Sequence, residues 1–163
     1  MGSYINHISQ AQKNITFLKE VNSLPKPNWD WQVTISFYSA VHFVNAYLAE
    51  KGDLHYRTHE DVKNALNTHN PMALYRIPEN IYVAYVKLEG LSRRARYLCH
   101  EDFTNRATTE FFTYDKHFAK AIKNLDVIVN YFSTLYKLNI TDLEVKCVDL
   151  EKTPLVKFKV IKS

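Results

Sequence analysis

The sequence predicts an all-α antiparallel bundle of four to six helices, closed by a small C-terminal β-hairpin. Three observations predict it. Apolar residues recur at three- and four-residue steps over most of residues 4–138. One such stretch, from Trp29 to Leu48, is apolar or aromatic on more than one face, so it needs neighbours on several sides. Beyond residue 140 the spacing changes to alternation, the mark of strands. Long amphipathic helices with mostly short connections pack most simply as antiparallel neighbours. The bundle is placed at residues 1–140. Residues 141–163 are an extension that packs on the bundle or on a partner subunit.

The first helix is expected over residues 4–22, where Ile5, Ile8, Ala11, Ile15 and Leu18 build one stripe. The run Leu24-Pro25-Lys26-Pro27-Asn28 ends it, because proline lacks a donor and restricts the residue before it. The second helix runs from about Asp30, an acid suited to a cap or first turn, to Lys51, with Gly52 as its stop. Its main stripe is Val33, Phe37, Ala40, Val41, Val44 and Leu48. A second stripe holds Ile35, Tyr38, His42, Asn45 and Ala49.

Thr58 suits the cap of a short helix through Thr68, with Asp61 as the third-position acid of a capping box. Pro78 and Glu79 open the next helix. Its stripe of Ile81, Ala84, Tyr85, Leu88, Leu91, Ala95 and Leu98 continues to Cys99. Gly90 within it marks either a bend or a close approach by another helix. Residues 100–112 read as a polar connection. The last helix, about Tyr114 to Leu138, carries Phe118, Ile122, Leu125, Val129, Phe132 and Tyr136, widened by Val127, Ile128 and Tyr131. In the tail, Leu143, Val145 and Cys147 alternate with charged residues, and so do Val156, Phe158 and Val160. The hairpin turn is placed at Asp149–Pro154.

A length of 163 residues suits one domain. The formal net charge of +4 tolerates an acidic or nucleic-acid partner without demanding one. Cys99 and Cys147 form neither a CxxC pair nor a zinc spacing, so two reduced thiols are expected. No apolar run approaches the roughly 20 residues of a membrane span, and no signal-peptide pattern opens the chain. The expected location is the cytoplasm.

Three segments resemble the HEPN-like superfamily of small helical bundles. The helix bearing Phe37-Tyr38-Ser39-Ala40-Val41-His42 and ending near Gly52 resembles the family's central helix. His55 and Thr58-His59 resemble its His-bearing entry to the next helix. Leu91-Ser92-Arg93-Arg94-Ala95-Arg96-Tyr97 resembles a later Arg-rich helix end. The resemblance covers roughly residues 5–138. It implies a homodimer and, as the leading expectation, an interaction or regulatory component of a toxin–antitoxin or defence system. The implied partners are RNA or a nucleotide, and a cognate antitoxin or nucleotidyltransferase-like protein. One alternative is a metal-independent endoribonuclease. Arg94-x(5)-His100 has the family's Arg–His spacing, although Ala95 follows Arg94 where that motif usually carries a polar residue. Another alternative is a bundle that binds a nucleotide or other phosphate ligand.

The residue chemistry suits either alternative. His100 is the side chain able to take and return a proton near neutral pH, and Arg94 would stabilise charge developing on phosphate. Arg93, Arg96 and Tyr97 would bind phosphate or stack on a base. If the helix runs through residue 100, Arg93, Arg96 and His100 share a face while Arg94 lies about 120° away. A solvated basic face that favours the helix C-terminus and pairs with Glu89 explains the same arginines without a ligand. His42 and His59 are candidates for a polar cluster, against a core histidine bonded to a tyrosine or carbonyl. No spacing among His42, His55 and His59 fixes a metal site, so no metal and no cofactor is assigned. The tail lysines are as readily edge-strand protection as phosphate contacts.

Overall fold

The computed structural model describes residues 3–54, 56, 58–97, 113–140 and 143–161. Among the described residues there are five α-helices: α1 (Tyr4–Ser23), α2 (Trp29–Gly52), α3 (His59–Leu66), α4 (Glu79–Tyr97) and α5 (Asp115–Leu135). Two short strands follow, β1 (Leu143–Lys146) and β2 (Phe158–Ile161), with a 3-10 turn at Val148–Leu150 between them. The expected fold class holds, with the four long helices as the bundle and α3 lying beside α4.

The second helix is the hub, as its apolar breadth requires. It packs against α1, α4 and α5. Buried residues on it include Val33, Phe37, Val41, Phe43, Val44 and Leu48, together with Gln32, Ser36 and Ser39. The two serines satisfy their hydroxyls on the carbonyls of Gln32 and Ile35, one turn back. Phe43 stacks on Phe132 of α5 with ring centres 5.9 Å apart. Both rings are fully buried, and truncating either to alanine costs about 3–5 kcal/mol. Several residues depart from their expected burial, Val127 and Val156 among them. Trp31 is largely exposed, with Phe17 and Leu24, around a groove of about 340 Å³ near the α1–α2 turn. Ile5 is likewise out of the core, whose α1 stripe is Ile8, Ala11, Ile15, Leu18 and Val21.

Local signals fix most boundaries. Ser3 caps α1 by accepting from the Asn6 amide. Thr58 caps α3, accepting from the Asp61 amide at 3.1 Å and donating to the Asp61 carboxylate at 2.6 Å. α3 stops at Leu66, shorter than the sequence suggested. The Pro78 carbonyl accepts the first helical bonds of α4, from Ile81 and Tyr82. At the end of α2 the left-handed residue is Asp53 (φ 51°), not Gly52. Gly52 is instead the last helical residue, and the Tyr75 hydroxyl sits where its side chain would be. Gly90 has open space around it, so close helix approach is not its reason. The polar connection expected over residues 100–112 lies outside the described residues.

The tail is the main correction. β1 and β2 pair in parallel, in the register Leu143↔Phe158 to Lys146↔Ile161, and so do not form a hairpin. Alternation marks a strand but not its direction, and parallel pairing needs a crossover. Two anchors make that crossover. Leu150 is fully buried against the bundle. Asp126 of α5, also buried, accepts from the amides of Val156, Lys157 and Phe158 at 2.7–3.0 Å, so the chain enters β2 from the α5 side. The buried Asn22 side chain pairs with the backbone of Lys146 in both directions, accepting its N–H at 2.6 Å and donating to its carbonyl at 3.0 Å. Leu143, Val145, Cys147 and Phe158 join the same core as the helices. The extension therefore packs on its own bundle.

Candidate functional site

Three of the sequence-predicted residues, His59, Arg96 and Tyr97, come together where α2, α3 and α4 meet. The Thr58 cap starts α3 so that His59 is its first residue, and its ring lies edge-on to Phe37 with centres 5.0 Å apart. Tyr38, the next residue of α2, is 6.4 Å from the same ring. From α4, the residues Tyr85, Glu89, Ser92 and Arg96 recur at three- and four-residue steps and so share one face.

Arg96 is held by two aromatic rings. Its guanidinium carbon lies 5.9 Å from the Tyr38 ring centre and 5.3 Å from that of Tyr97, within cation–π range. It also approaches the Tyr38 hydroxyl at 3.5 Å and donates to the Ser92 carbonyl at 3.4 Å. Tyr97 is 62% exposed and Tyr38 37%, so both retain ring surface for a ligand.

Behind this rim lies a polar interior. Glu89 is buried and pairs with Lys63 of α3 at 3.4 Å, and Lys63 also meets Glu60 at 2.8 Å. The Glu60 hydrogen bond and then Glu89 raise the Lys63 pKa against the opposing effect of burial. On either side of Glu89, the Tyr85 hydroxyl and the Ser92 hydroxyl are buried without a partner among the described residues. Burial and the Glu89 charge push the Tyr85 phenol up. His59 is pulled below its ordinary value mainly by burial, helped by Arg96 and Lys63 and opposed by Glu89. At neutral pH it is therefore an uncharged imidazole beside a fixed guanidinium.

The other predicted residues lie elsewhere. Arg94 is exposed on the α5 side of α4, where its charge is felt by the buried His117. His117 accepts from the Tyr114 amide through Nδ1 and so closes the start of α5. Arg93 is exposed on α4. His100 and His55 lie outside the described residues, so the Arg94–His100 pair has a position for one member only. His42 and His59 have different partners: His42 bonds to His7 of α1, with the two Nδ1 atoms 3.1 Å apart. Among the described residues no group of three or more His, Cys, Asp or Glu is placed to hold a metal. Cys147 is buried and its thiol is pushed up to about 11, so it is no nucleophile at neutral pH.

Lys63, Glu89, Tyr38 and His7 were not foreseen as site residues. Tyr38 belonged to the second stripe of its helix, one turn before His42, which was a usable signal. Lys63–Glu89 and His7–His42 join positions far apart in the chain, and no local spacing announces them. Among the described residues no helix is long and apolar enough to cross a membrane. No protein-family model, no curated protein and no solved structure matches the chain.

Proposed function

We propose that this chain is a binding bundle that takes single-stranded RNA on the face made by Tyr38, His59, Arg96 and Tyr97. It would serve there as the interaction or regulatory component of a toxin–antitoxin or defence system, the setting that its HEPN resemblance implies. The observation that carries this reading is Arg96 lying against two exposed tyrosine rings. Such a unit offers a phosphate a fork of donors and offers bases flat faces on which to stack. Because Glu89 is paired with Lys63, it does not cancel the Arg96 charge. The net charge of +4 favours the approach of a polyanion.

The test is fluorescence polarisation with a labelled single-stranded RNA at low and moderate salt. Stacking contacts are worth about 1–3 kcal/mol each, or roughly 5- to 150-fold in affinity. Arg96→Ala and Tyr97→Ala should each weaken binding by at least the lower figure, and added salt should weaken it further. Unchanged affinity in both variants would refute the site.

A metal-independent endoribonuclease is the second reading, and His59 is the observation favouring it. A neutral imidazole beside a guanidinium is the pairing that 2′-hydroxyl deprotonation and phosphate stabilisation require. Incubating total RNA with the purified protein, beside His59→Ala, His100→Ala and Arg94→Ala, separates the two readings. Cleavage abolished by one of these substitutions makes the protein an enzyme. Intact RNA together with Arg96-dependent binding makes it a binding bundle.

A further inference from the structure

Away from this face, His7 of α1 and His42 of α2 meet across the helix–helix seam. Their Nδ1 atoms are 3.1 Å apart and their ring centres 5.4 Å apart. Both side chains are half-buried, and they sit between residues packed firmly in the core: Ile8 and Ala11 on one helix, Val41 and Phe43 on the other. The two nitrogens are thus brought together by the fold, which lowers the cost of gathering them on one ligand. An N–H···N contact requires one Nδ1 to present its lone pair. Burial, and then the neighbouring His7, hold His42 below its ordinary pKa, which favours that neutral form. One turn along α2 on the same side, the Asn45 carboxamide oxygen is shielded from solvent without a partner among the described residues.

The separation also suits a metal. Two imidazole nitrogens 3.1 Å apart, each about 2.05 Å from one ion, subtend about 98° at it. That angle lies between the square or octahedral value and the tetrahedral one. We propose that His7 and His42 form a two-nitrogen site for a divalent transition ion of the imidazole-preferring class, with the Asn45 oxygen accepting a hydrogen bond from a metal-bound water. Both Nδ1 lone pairs are needed at once, so the ring that donates in the N–H···N contact shifts its proton to Nε2. The rings turn so that both lone pairs leave the N···N line and converge on the ion. Since no third His, Cys, Asp or Glu joins the pair among the described residues, water or an exchangeable ligand fills the remaining positions. Such a site selects by donor type, so Zn²⁺ and Cu²⁺ bind and Mg²⁺, which prefers oxygen, does not.

Calorimetric titration of the full chain with Zn²⁺ at pH 7.5, alone and with excess Mg²⁺, tests the site. Circular dichroism first confirms that the His7→Gln and His42→Gln variants keep their helices. Each substitution should weaken Zn²⁺ binding at least tenfold. His69→Ala, which removes an exposed imidazole beside Glu79, should leave it unchanged. Electron paramagnetic resonance of the Cu²⁺-loaded wild type gives a readout that needs no variant, namely hyperfine coupling to two imidazole nitrogens. The site is refuted if the wild type binds no stoichiometric Zn²⁺, if affinity survives either substitution, if Mg²⁺ competes on equal terms, or if the Cu²⁺ spectrum shows fewer than two nitrogens.

Discussion

Arg94 and Arg96 stand two residues apart on α4 and serve opposite sides of the bundle. Arg96 lies against Tyr38 and lowers the pKa of His59, while Arg94 lowers that of His117 on α5. Successive helical positions are 100° apart, so two residues carry a side chain about 200°, to the opposite side of the helix. A chemical site that uses Arg94 therefore draws on α5, and one that uses Arg96 draws on α2 and α3.

That separation predicts a crossed pattern of titrations. Removing a nearby positive charge relieves the penalty on imidazolium, so a pKa held down by that charge rises. Arg96→Ala should raise the His59 pKa and leave that of His117 unmoved. Arg94→Ala should raise His117 and leave His59 unmoved. In neither case should the histidine return to its ordinary value, because burial is the larger cause of both shifts. Histidine ring-proton chemical shifts followed by NMR from pH 4.5 to 8 provide the measurement. Equal responses of both histidines to either change would refute the geometry.

The two helical glycines should respond to alanine with opposite signs. At Gly90 the added methyl meets open space in an exposed helical position. Gly90→Ala should therefore stabilise the protein by up to about 1 kcal/mol, through helix propensity alone. At Gly52 the methyl collides with the Tyr75 ring and hydroxyl. Gly52→Ala should cost about 1–3 kcal/mol, and Tyr75→Ala in the same chain should recover part of that loss. Urea denaturation midpoints decide both signs.

The contrast between these glycines shows what could be read in advance. Helices were legible because their signals are local. The Ile8–Leu18 stripe, the Thr58 cap and Pro78 each lie within a few residues of what they specify. The central place of α2 was legible because the stretch from Trp29 to Leu48 is apolar or aromatic on more than one face. Strand direction in the tail was not legible. It depends on Asp126 and Leu150, and a carboxylate in the middle of a helix gives no sign that three amides will reach it from residues 156–158. The site was half legible for the same reason. Arg96 and Tyr97 stood out as a run, whereas the Lys63–Glu89 pair and the His7–His42 contact exist only after the helices pack.

Asp126 should accordingly be among the costliest polar positions to change. Its Oδ1 accepts from Lys157 and Phe158, and its Oδ2 accepts from Val156. Asp126→Ala strands three amides beneath the tail and should destabilise by about 3 kcal/mol or more. Asp126→Asn keeps the Oδ1 bonds but turns an N–H toward the Val156 amide, so it should cost less, about 1–2 kcal/mol. Limited proteolysis should show cleavage in the 151–157 segment of the alanine variant before the helices are cut. Equal stability of the two variants would mean that the carboxylate does not anchor the crossover.

Acid should weaken the fold through its half-buried and buried histidines. His42, His59 and His117 are all held below their ordinary value of 6.5, with burial the leading cause in each. The unfolded chain then binds protons that the folded chain refuses, so stability rises with pH across that interval. The contribution is fully present above about pH 6.5, where the unfolded histidines are neutral, and it is lost as pH falls through the lower folded values. Thermal unfolding should show a plateau from pH 7 to 8 and a falling midpoint from pH 6.5 downward. Replacing His42 by Gln removes one of these groups and should flatten the fall. A midpoint that held constant between pH 7 and 5 in the wild type would mean that these imidazoles take up protons without leaving their places in the bundle.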